Sequence, residues 1–350
     1  MQMKTSRKYL NKSFWNNKTV LITGINGFIG GNLSKHLLNN GCKVIGITNR
    51  KNKSKFLHFE RIHSKVKISY SDISNYDQIM KVVKANKIDI CFHLAAQVDV
   101  NVARKNPYET FESNIKGTYN LLEALRVNSK VKAIVVASSD KAYGEYNLKD
   151  LPYKESYDLR PKYPYDVSKA AADMITKSYS TELFNMPVIT TRFSNIYGPG
   201  QLNFSALIPD CILANLGYKD FLPRGNGSNS RDFLFVEDVC DLYMCLAYYL
   251  NKDKKLSGEV FNAGTGRAYK VKSIIKSICT ANDNNKLYDR ISSKFKGKET
   301  VGEISHQFMS YSKLYRHFKW QPSHSLDEGL GKTFLWYKEF LKKYNYKDFV

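Results

Sequence analysis

Short apolar runs alternate with segments of helical periodicity along the first half of the chain. Over residues 32–39, apolar side chains recur at helical spacing, and segments 76–85 and 114–126 also favour helices. The apolar runs are rich in β-branched residues, which is typical of buried strands. They are residues 18–23, 44–48, 66–70, 88–94 and 132–137. Strands and helices alternating at this spacing predict an α/β fold of the Rossmann type, with a doubly wound parallel sheet that binds ligands at the carboxyl ends of its strands.

The composition is that of a globular protein with room for two domains. Of the 350 residues, 43% are hydrophobic and 25% are charged, which argues against disorder. No run of about 18 apolar residues occurs, and the stretch up to Trp15 is polar and basic, without the apolar core of a secretory signal. We therefore expect a cytoplasmic protein.

The charge is strongly positive, but it is not concentrated. Lysine and arginine number 54 against 32 aspartates and glutamates, a net charge of +22, which ordinarily suggests a nucleic acid or an anionic membrane as partner. The lysines are scattered singly, so we expect instead a solvated surface that favours anionic small molecules. The six cysteines form no C-x-x-C pair, which favours reduced core thiols. The histidines show no metal-ligand spacing, and no metal is expected.

A glycine cluster follows the first apolar run. Gly24 permits a tight turn, Gly27 lets backbone N–H groups approach a pyrophosphate, and Gly30 lets the following helix pack close to the strand. Such a triplet also occurs in ordinary strand-to-helix turns. The strand before it and the helix after it favour a dinucleotide site, with the helix dipole attracting the anion.

The end of the second run bears on the choice of cofactor. An acidic residue there would bind the ribose 2′-hydroxyl of NAD, but the chain has Thr48, Asn49 and Arg50. These donors favour NADP over NAD as the cofactor, although Arg50 also begins a generally basic loop. Asp72, after the third run, is placed either to meet the adenine end or to cap the next helix.

Tyr165 and Lys169 are spaced by four residues, which places both on one face of a helix. A tyrosine becomes a useful base only when nearby positive charge favours its phenolate, and a lysine together with an oxidised nicotinamide provides that charge. Upstream, the fifth run ends in Ser139, Asp140 and Lys141. These side chains are expected at the same edge of the sheet, where Ser139 would assist Tyr165.

Six motifs occur in an order that resembles the extended short-chain dehydrogenases/reductases that act on nucleotide sugars. The similarity runs from about residue 20 to 266 and is greatest to CDP-glucose 4,6-dehydratase-like members. The motifs are TGINGFIG at 23–30, HLAAQ at 93–97, SSDKAYG at 138–144, YDVSK at 165–169, RFSNIYGP at 192–199 and RDFLFVED at 231–238.

The resemblance implies a set of residues that contact the nicotinamide cofactor. Beyond those already named, it implies contacts at the first motif, after the third and fourth strands, and at the catalytic pair. The full set is Gly24, Asn26, Gly27, Phe28, Ile29, Gly30, Thr48, Asn49, Arg50, Asp72, Ile73, Leu94, Ala95, Ala96, Gln97, Tyr165 and Lys169.

The resemblance also implies a lyase reaction that converts a nucleotide-diphosphate hexose into its 4-keto-6-deoxy form. Tyr165 would be the base for C4 oxidation, with Lys169 lowering its pKa, and Asp140 would protonate the departing C6 hydroxyl. Lys141 stands where dTDP-glucose dehydratases carry a glutamate base. It is either the C5 base, which requires its neutral amine, or a partner of Asp140 or of a phosphate.

Substrate contacts are expected at Gln97, Asn195, Asn203, Phe204 and Arg231. Asn195 resembles the diphosphate contact of the family, and the Arg231 guanidinium suits bidentate phosphate binding. The plainer alternatives are that the Asn195 amide caps a turn and that Arg231 forms a surface ion pair with Asp232.

Three further side chains are expected to be structural. Glu237 and Asp238 precede a helix and are expected to cap it, and His93 is expected to pack within the fourth strand.

The motifs divide the chain into two units. Residues 1–191, with about 232–264 returning to the sheet through 233–236 and 259–262, are expected to form the cofactor domain. Residues 192–231 and 265–350 are expected to form a discontinuous substrate lobe. Segments 114–126 and 166–184 resemble the helices that form the homodimer interface in this family.

Two other functions remain compatible with the sequence. A nucleotide-sugar 4-epimerase shares Ser139, Tyr165 and Lys169 but needs no acid and base for elimination, so Asp140 and Lys141 favour the dehydratase. The high charge alone suggests a non-catalytic protein that senses dinucleotides or binds RNA, and an intact Tyr165–Lys169 pair argues against it.

Overall fold

The computed structural model describes residues 8–49, 55–295 and 304–349. The strands of this part of the chain are β1 (Thr19–Thr23), β2 (Lys43–Thr48), β3 (Val66–Tyr70), β4 (Ile90–His93), β5 (Ala133–Ala137), β6 (Val188–Phe193), β7 (Asn195–Tyr197), β8 (Ser230–Arg231), β9 (Phe233–Phe235), β10 (Val260–Ala263), β11 (Tyr269–Lys270) and β12 (His306–Gln307).

The α-helices of the same residues are α1 (Lys12–Trp15), α2 (Phe28–Asn39), α3 (Lys55–Phe59), α4 (Tyr76–Lys84), α5 (Val100–Lys105), α6 (Pro107–Phe111), α7 (Gly117–Asn128), α8 (Pro164–Tyr179), α9 (Leu207–Asn215), α10 (Val236–Lys252), α11 (Val271–Thr280), α12 (Asn285–Ser292), α13 (Ser312–Phe318) and α14 (Leu326–Leu341). Among these residues, no helix combines the length and apolar character that crossing a membrane requires.

Seven strands form one parallel sheet in the order β10-β6-β5-β4-β1-β2-β3. Val20 of β1 pairs with Val44 of β2 on one side and with Ile90 of β4 on the other. The chain therefore proceeds outward from β1 in both directions, and the order reverses between β1 and β4. In open α/β sheets, ligands bind in the crevice at such a reversal, beyond the carboxyl ends of the strands. The prediction of a doubly wound parallel sheet is confirmed.

Helices cover both faces of the sheet. Successive strand residues point to opposite faces, so both sets of side chains are buried. On one face, Val20 and Ile22 are buried in a cluster with Leu33 of α2 and Met244 of α10. On the other, Leu21 is buried with Ile79 of α4 and Leu121 of α7 in a second cluster. All six cysteines are buried as free thiols, which confirms the prediction of core thiols.

Helices α2 and α8 begin earlier than the sequence predicts. Helix α2 begins at Phe28 and not at residue 32, because the glycine turn ends at Gly27 and the helix starts at once. Helix α8 spans Pro164–Tyr179 instead of residues 166–184. It starts earlier because a proline is favourable at the first helical position, where its missing N–H is not needed.

Residues 233–236 do not return to the main sheet. Phe233–Phe235 forms β9, which pairs with β7 in a separate two-stranded sheet. Strand β6 already has β5 on one side and β10 on the other, so both of its edges are occupied. Residues 259–262, in contrast, contribute β10 to the main sheet as predicted.

A third apolar cluster lies beyond the sheet. It packs Ile208 and Ile212 of α9 against Ile275 of α11 and Tyr337 of α14. A small sheet of β11, β8 and β12 lies in the same region of the sequence. These elements belong to the segments expected to form the substrate lobe.

A buried ion pair connects α8 to β6. The Arg192 guanidinium donates two hydrogen bonds to Asp173 (2.7 and 3.1 Å) and a third to the hydroxyl of Tyr143 (2.8 Å). Tyr143 in turn donates to Asn262 of β10 (2.8 Å). Because a buried charge without its partner is strongly unfavourable, this network fixes the segment after β5 against the sheet.

We expect Asp173→Ala to lower the free energy of unfolding by about 3–5 kcal/mol, because it leaves the Arg192 guanidinium buried without its counter-ion. Denaturation by urea, followed by circular dichroism, measures the loss. The matched control is Asp158→Ala, which removes an exposed aspartate 3.6 Å from Arg160 and should cost less than about 1 kcal/mol. Equal losses in the two variants would show that the buried ion pair contributes no more to the free energy of unfolding than the exposed one.

Candidate active site

Buried polar atoms without a hydrogen-bond partner collect at the carboxyl ends of four adjacent strands. Several such atoms of the described part of the chain lie there: the amide group of Asn26 after β1, Oε1 of Gln97 after β4, Oδ2 of Asp140 after β5 and Oγ of Ser194 after β6. Buried polar atoms in folded proteins are nearly always hydrogen-bonded, so a row of exceptions in one crevice is typical of a ligand site.

The turn between β1 and α2 requires its glycines. Gly24 has a φ of +74°, and a Cβ there would lie 2.9 Å from the backbone of Ala95. A Cβ on Gly30 would overlap the carbonyl oxygen of Gly24. Gly27 precedes the first residue of α2 and has no side chain to cap its N–H groups, which are thus available to an anion. With the unpartnered amide of Asn26, this turn fits a pyrophosphate.

The expected cofactor residues Phe28 and Ile29 form the first turn of α2, and both are half-buried. Thr48 is buried at the end of β2, and Asn49 is exposed beside it. Arg50 lies outside the described residues.

After β3, Ile73 is buried while Asp72 is exposed and accepts hydrogen bonds from the N–H and hydroxyl of Ser74. Of the two roles left open for Asp72, the helix cap is excluded, because Asn75 is the N-cap of α4; the contact with the adenine end stays a prediction.

The segment after β4 is held against the end of β1. The hydroxyl of Thr23 accepts hydrogen bonds from the N–H groups of Leu94 and Ala95 (3.1 and 3.0 Å). Asn114 accepts from the N–H of Gln97 (2.7 Å) and donates to its carbonyl (2.9 Å). These bonds fix the backbone on both sides of Ala96, where cofactor contacts are expected. Asn114 was missed by the sequence analysis, which placed it only within a helix.

His93 lies in β4 as predicted. Its Nδ1 is 2.7 Å from the hydroxyl of Thr23 and its Nε2 is 3.0 Å from that of Thr118, so both ring nitrogens have partners. Burial lowers the pKa of His93 to about 3, which keeps the ring neutral. The neutral imidazole connects β1, β4 and α7. Both of its nitrogens are already paired, so it has no hydrogen-bonding group left for a ligand.

Ser139, Tyr165 and Lys169 come together as the sequence predicts. Ser139 ends the extended segment after β5 and caps the 3₁₀ helix Asp140–Tyr143, accepting a hydrogen bond from the N–H of Lys141 (3.2 Å). Tyr165 and Lys169 lie one turn apart on α8, and both are buried. Lys169 donates to the carbonyl of Ala137 at the end of β5 (2.8 Å). The pair therefore faces the same strand end as Ser139.

Burial controls the proton affinities of this pair. It raises the pKa of Tyr165, and a hydrogen bond with Ser139 opposes that rise. Burial lowers the pKa of Lys169 to about 8, against the raising effect of Asp173. The phenol therefore stays protonated in the protein alone, and removing its proton requires additional positive charge in the crevice.

Asp140 is held as a buried acid. Its Oδ1 accepts a hydrogen bond from Ser139 (3.0 Å), and its Oδ2 is buried without a partner in the described residues. Burial raises the pKa of Asp140 above its ordinary value, while the positive charges of Lys141 and Arg231 oppose the rise. A carboxyl group with a raised pKa retains its proton to higher pH and is suited to donate it.

Lys141 faces a second buried carboxyl group that the sequence analysis missed. Within the described residues, its ammonium donates to Oε1 of Gln307 (3.3 Å) and forms no ion pair with Asp140. Burial raises the pKa of Asp166 on α8, and Lys141 opposes that rise. Asp166 directly follows Tyr165, but nothing in the sequence indicates that it faces the segment after β5.

Of the expected substrate residues, Asn195 and Arg231 lie near the crevice. Asn195 begins β7 directly after the end of β6 and donates to the carbonyl of Asp232 (3.3 Å). Arg231 donates to the carbonyls of Ser230 and Ser305 (2.9 and 3.3 Å), and its charge acts on Asp140. The Asp232 carboxylate accepts hydrogen bonds from Thr265 and from backbone N–H groups instead.

Asn203 and Phe204, which are expected to contact the substrate, differ in their surroundings. Asn203 is exposed and folds onto Ser205 in a local turn, while Phe204 is buried beside Tyr337 in the third apolar cluster. An open cleft adjoins this turn. Its lining includes Ser205, Leu207, Phe221, Arg224, Asn229 and Phe295.

Glu237 and Asp238 lie inside the first turn of α10 and do not precede it. Asp238 accepts hydrogen bonds from Ser323 and His324, which attaches the loop before α14 to α10. Their role is structural, as expected, but the contact is between distant segments and not a helix cap.

The chain matches a family model described as GDP-mannose 4,6 dehydratase over residues 21–333. It is 30% identical over 330 residues to the trifunctional UDP-glucose 4,6-dehydratase/UDP-4-keto-6-deoxy-D-glucose 3,5-epimerase/UDP-4-keto-L-rhamnose-reductase RHM2 of Arabidopsis thaliana. The match covers 92% of this chain and 47% of that protein, so the chain spans about half the length of this relative.

Two solved structures represent two activities of the family. The chain is similar to a dTDP-glucose 4,6-dehydratase of Bacillus anthracis in complex with NAD, with 27% identity, a TM-score of 0.79 and coverage of 93% of this chain and 98% of that one. It is equally similar to a UDP-glucose 4-epimerase of Thermotoga maritima with UDP-glucose, with 26% identity, a TM-score of 0.77 and coverage of 92% and 99%. The chain therefore belongs to the nicotinamide-dependent nucleotide-sugar dehydratases and epimerases of the extended short-chain dehydrogenase/reductase superfamily.

Proposed function

We propose that the protein is a nucleotide-sugar 4,6-dehydratase, which converts a nucleotide-diphosphate hexose into its 4-keto-6-deoxy form. The observation that carries this proposal is Asp140, a buried carboxyl group with a raised pKa and a free Oδ2. The alternative activity, 4-epimerisation, needs only Ser139, Tyr165 and Lys169, because it removes and returns hydrogen at one carbon. Elimination of water needs a proton donor as well, and Asp140 is suited to that role.

The site fits a nicotinamide dinucleotide. The glycine turn with Asn26 would hold the pyrophosphate, and Gln97 and Lys169 would face the nicotinamide end of the crevice. The bound cofactor supplies a two-electron acceptor for the C4 hydrogen and the source of the hydrogen that returns to C6. The absence of an acidic residue at Thr48 and Asn49 favours NADP, whereas the similar Bacillus anthracis dehydratase was crystallised with NAD.

C4 oxidation requires a base for the 4-hydroxyl. Tyr165 takes that proton, and Ser139, which is hydrogen-bonded to it, holds the sugar oxygen. Burial alone keeps the phenol protonated, so its activation depends on the positive charge of the oxidised nicotinamide together with Lys169. The product of this half-reaction is a 4-ketone, which acidifies the hydrogen on C5.

Elimination follows at C5 and C6. Lys141 takes the C5 proton once its ammonium has released one, the electron pair of the C5–H bond forms a C5–C6 double bond, and the C6–O bond breaks. Asp140 donates its proton to the departing oxygen, so that water leaves. A raised pKa suits this donor, and Lys141 adjoins it in the sequence.

Other residues would bind the diphosphate, the sugar and the base of the substrate. Asn195 and Arg231 would bind the diphosphate, and Gln97 would contact the sugar. The open cleft lined by Ser205, Leu207 and Phe221 combines polar and apolar side chains, which suits a nucleotide base. Ser205 directly follows Asn203 and Phe204, so this cleft adjoins the base contacts expected from the sequence.

The proposed function is tested by incubating the protein and its cofactor with CDP-, GDP-, dTDP- and UDP-hexoses and following the product mass. We expect one of them to lose one water. An unchanged mass with altered stereochemistry at C4 would support the epimerase instead. Inertness toward every sugar would contradict both activities.

The same assay tests Lys141. We expect Lys141→Met to keep nucleotide-sugar binding within about twofold and to slow water loss by about 10²–10⁴-fold, because the C5 base is missing. Lys149→Met, at an exposed lysine eight residues further on, is the matched control and should leave the rate unchanged. Near-normal turnover of the Lys141 variant would remove this residue from the mechanism.

We expect Gly30→Ala to weaken dinucleotide binding at least tenfold, because the new Cβ must displace the Gly24 carbonyl. Calorimetric titration with NAD and with NADP measures the loss and also tests the preference for NADP. The control is Gly331→Ala on α14, where a Cβ meets no atom within 4 Å. Undiminished affinity in the Gly30 variant would mean that the cofactor does not bind this turn.

We propose that two copies of the chain associate through α7 and α8, which pack side by side. Large apolar side chains are exposed on or directly after these helices, including Tyr119, Met174 and Leu183, which is 79% exposed. A second copy would bury them, as the resemblance to dimeric family members implies.

We expect Met174→Lys to convert the dimer into a monomer, measured by sedimentation equilibrium, because it places a charge in the interface. Leu335→Lys on α14 is the control, since this leucine is similarly exposed but lies on another helix. A wild-type chain that sediments as a monomer would contradict the dimer.

A further inference from the structure

Gln307 is a buried side chain with half of its hydrogen-bonding capacity unused. It lies on β12 and is 1% exposed. Its Oε1 accepts from the ammonium of Lys141 (3.3 Å), while its Nε2 is buried without a partner among the described residues. Because an unpaired buried amide is unfavourable, its N–H groups are positioned for a ligand.

The backbone around Gln307 is held from two sides. Its carbonyl accepts from the N–H of Asp232 (3.0 Å), and β12 pairs with β8 so that Gln307 lies opposite Arg231. On the other side, the carbonyl of Phe308 accepts from the N–H of Tyr153 (3.0 Å). The side chain is therefore presented to the catalytic segment from a fixed strand, although it lies 166 residues away from Lys141 in sequence.

Two unpartnered groups thus accompany Lys141: the Nε2 donor of Gln307 and Oδ2 of Asp140. Gln307 Nε2 needs an acceptor, whereas Asp140 donates when it is protonated and accepts when it is ionised. A ligand group that pairs with both in either state of Asp140 must therefore be able to accept and to donate. A hydroxyl group does both, whereas a carboxylate only accepts and would face the oxygens of Asp140.

We infer that Gln307 is a specificity-determining residue that donates a hydrogen bond to the exocyclic 6-hydroxyl of the substrate hexose. This inference rests on the proposed function, in which Asp140 acts on the same hydroxyl. The site then favours hexoses with a free 6-hydroxyl over sugars that lack it, and Gln307 holds the leaving group while it also orients Lys141.

The test compares binding of paired sugars to the full chain with reduced cofactor, which prevents C4 oxidation. The probes are CDP-, GDP-, dTDP- and UDP-glucose and their 6-deoxyglucose counterparts, and the pair with the tightest glucose form is used. We expect the wild-type protein to bind the glucose form about 3- to 10-fold more tightly, which corresponds to one hydrogen bond.

Two variants remove the donor in different ways. Gln307→Met removes both polar groups at similar volume, and Gln307→Glu keeps an acceptor for Lys141 but loses the N–H donor. We expect both to bind the two sugars within twofold of each other. The control, Gln321→Met, changes an exposed glutamine and should preserve the wild-type ratio. If Gln307→Met does not fold, Gln307→Glu still tests the inference. An unchanged affinity for the cofactor verifies that each variant is folded.

An unchanged preference in both variants, or no preference in the wild-type protein, would overturn the inference. This outcome is distinct from failure of the proposed function, in which no nucleotide hexose loses water. The binding ratio is measured without turnover, so a chain that only epimerises still gives a result for Gln307. A purely structural role would weaken both sugars equally and leave the ratio intact, which also contradicts the inference.

Discussion

The site depends on one buried carboxyl group, that of Asp140, at the end of β5. Water would favour the ionised form of this group, and its removal from water raises the pKa above the ordinary value of a carboxyl group. The neighbouring charges of Lys141 and Arg231 work in the opposite direction. Catalysis by such a group therefore requires a closed environment, which the strand end, the 3₁₀ helix and β12 supply together.

The same requirement explains the network beneath the site. Arg192 binds Asp173 on α8 and the hydroxyl of Tyr143, the last residue of the 3₁₀ helix that begins at Asp140. Asp173 also raises the pKa of Lys169, against the effect of burial. One buried ion pair thus fixes the position of the segment after β5 and influences the pKa of Lys169, so stability and the proposed chemistry depend on the same residues.

Part of this arrangement could be predicted from residues that lie close together in the sequence. The glycine turn, the strand ends and the Tyr165–Lys169 spacing depend on residues close together in sequence, and all fall where expected. The burial of Phe204 in the third apolar cluster could not be predicted, because an aromatic side chain suits a base-stacking site and an apolar core equally well. Asp166, Asn114 and Gln307 were missed because their importance arises from contacts over long sequence separations, which no local pattern records. Strand β9 was assigned to the wrong sheet for the same reason, since which edges are free depends on the whole topology.

Dehydratases and epimerases of this family share the oxidation at C4, so the reaction outcome must depend on what surrounds the rest of the sugar. In the proposed mechanism, Ser139, Tyr165 and Lys169 act at C4, and they come from the segment after β5 and from α8. Asp140 and Lys141, which would act at C6 and C5, also follow β5, and the Lys141 ammonium contacts Gln307 of β12, a strand outside the main sheet. Epimerisation needs no acid, so in the proposed mechanism Asp140 is the residue after β5 that distinguishes elimination from it. If Gln307 holds the hydroxyl that Asp140 must protonate, elimination depends on the contact between the segment after β5 and β12, and not on the cofactor-binding sheet alone.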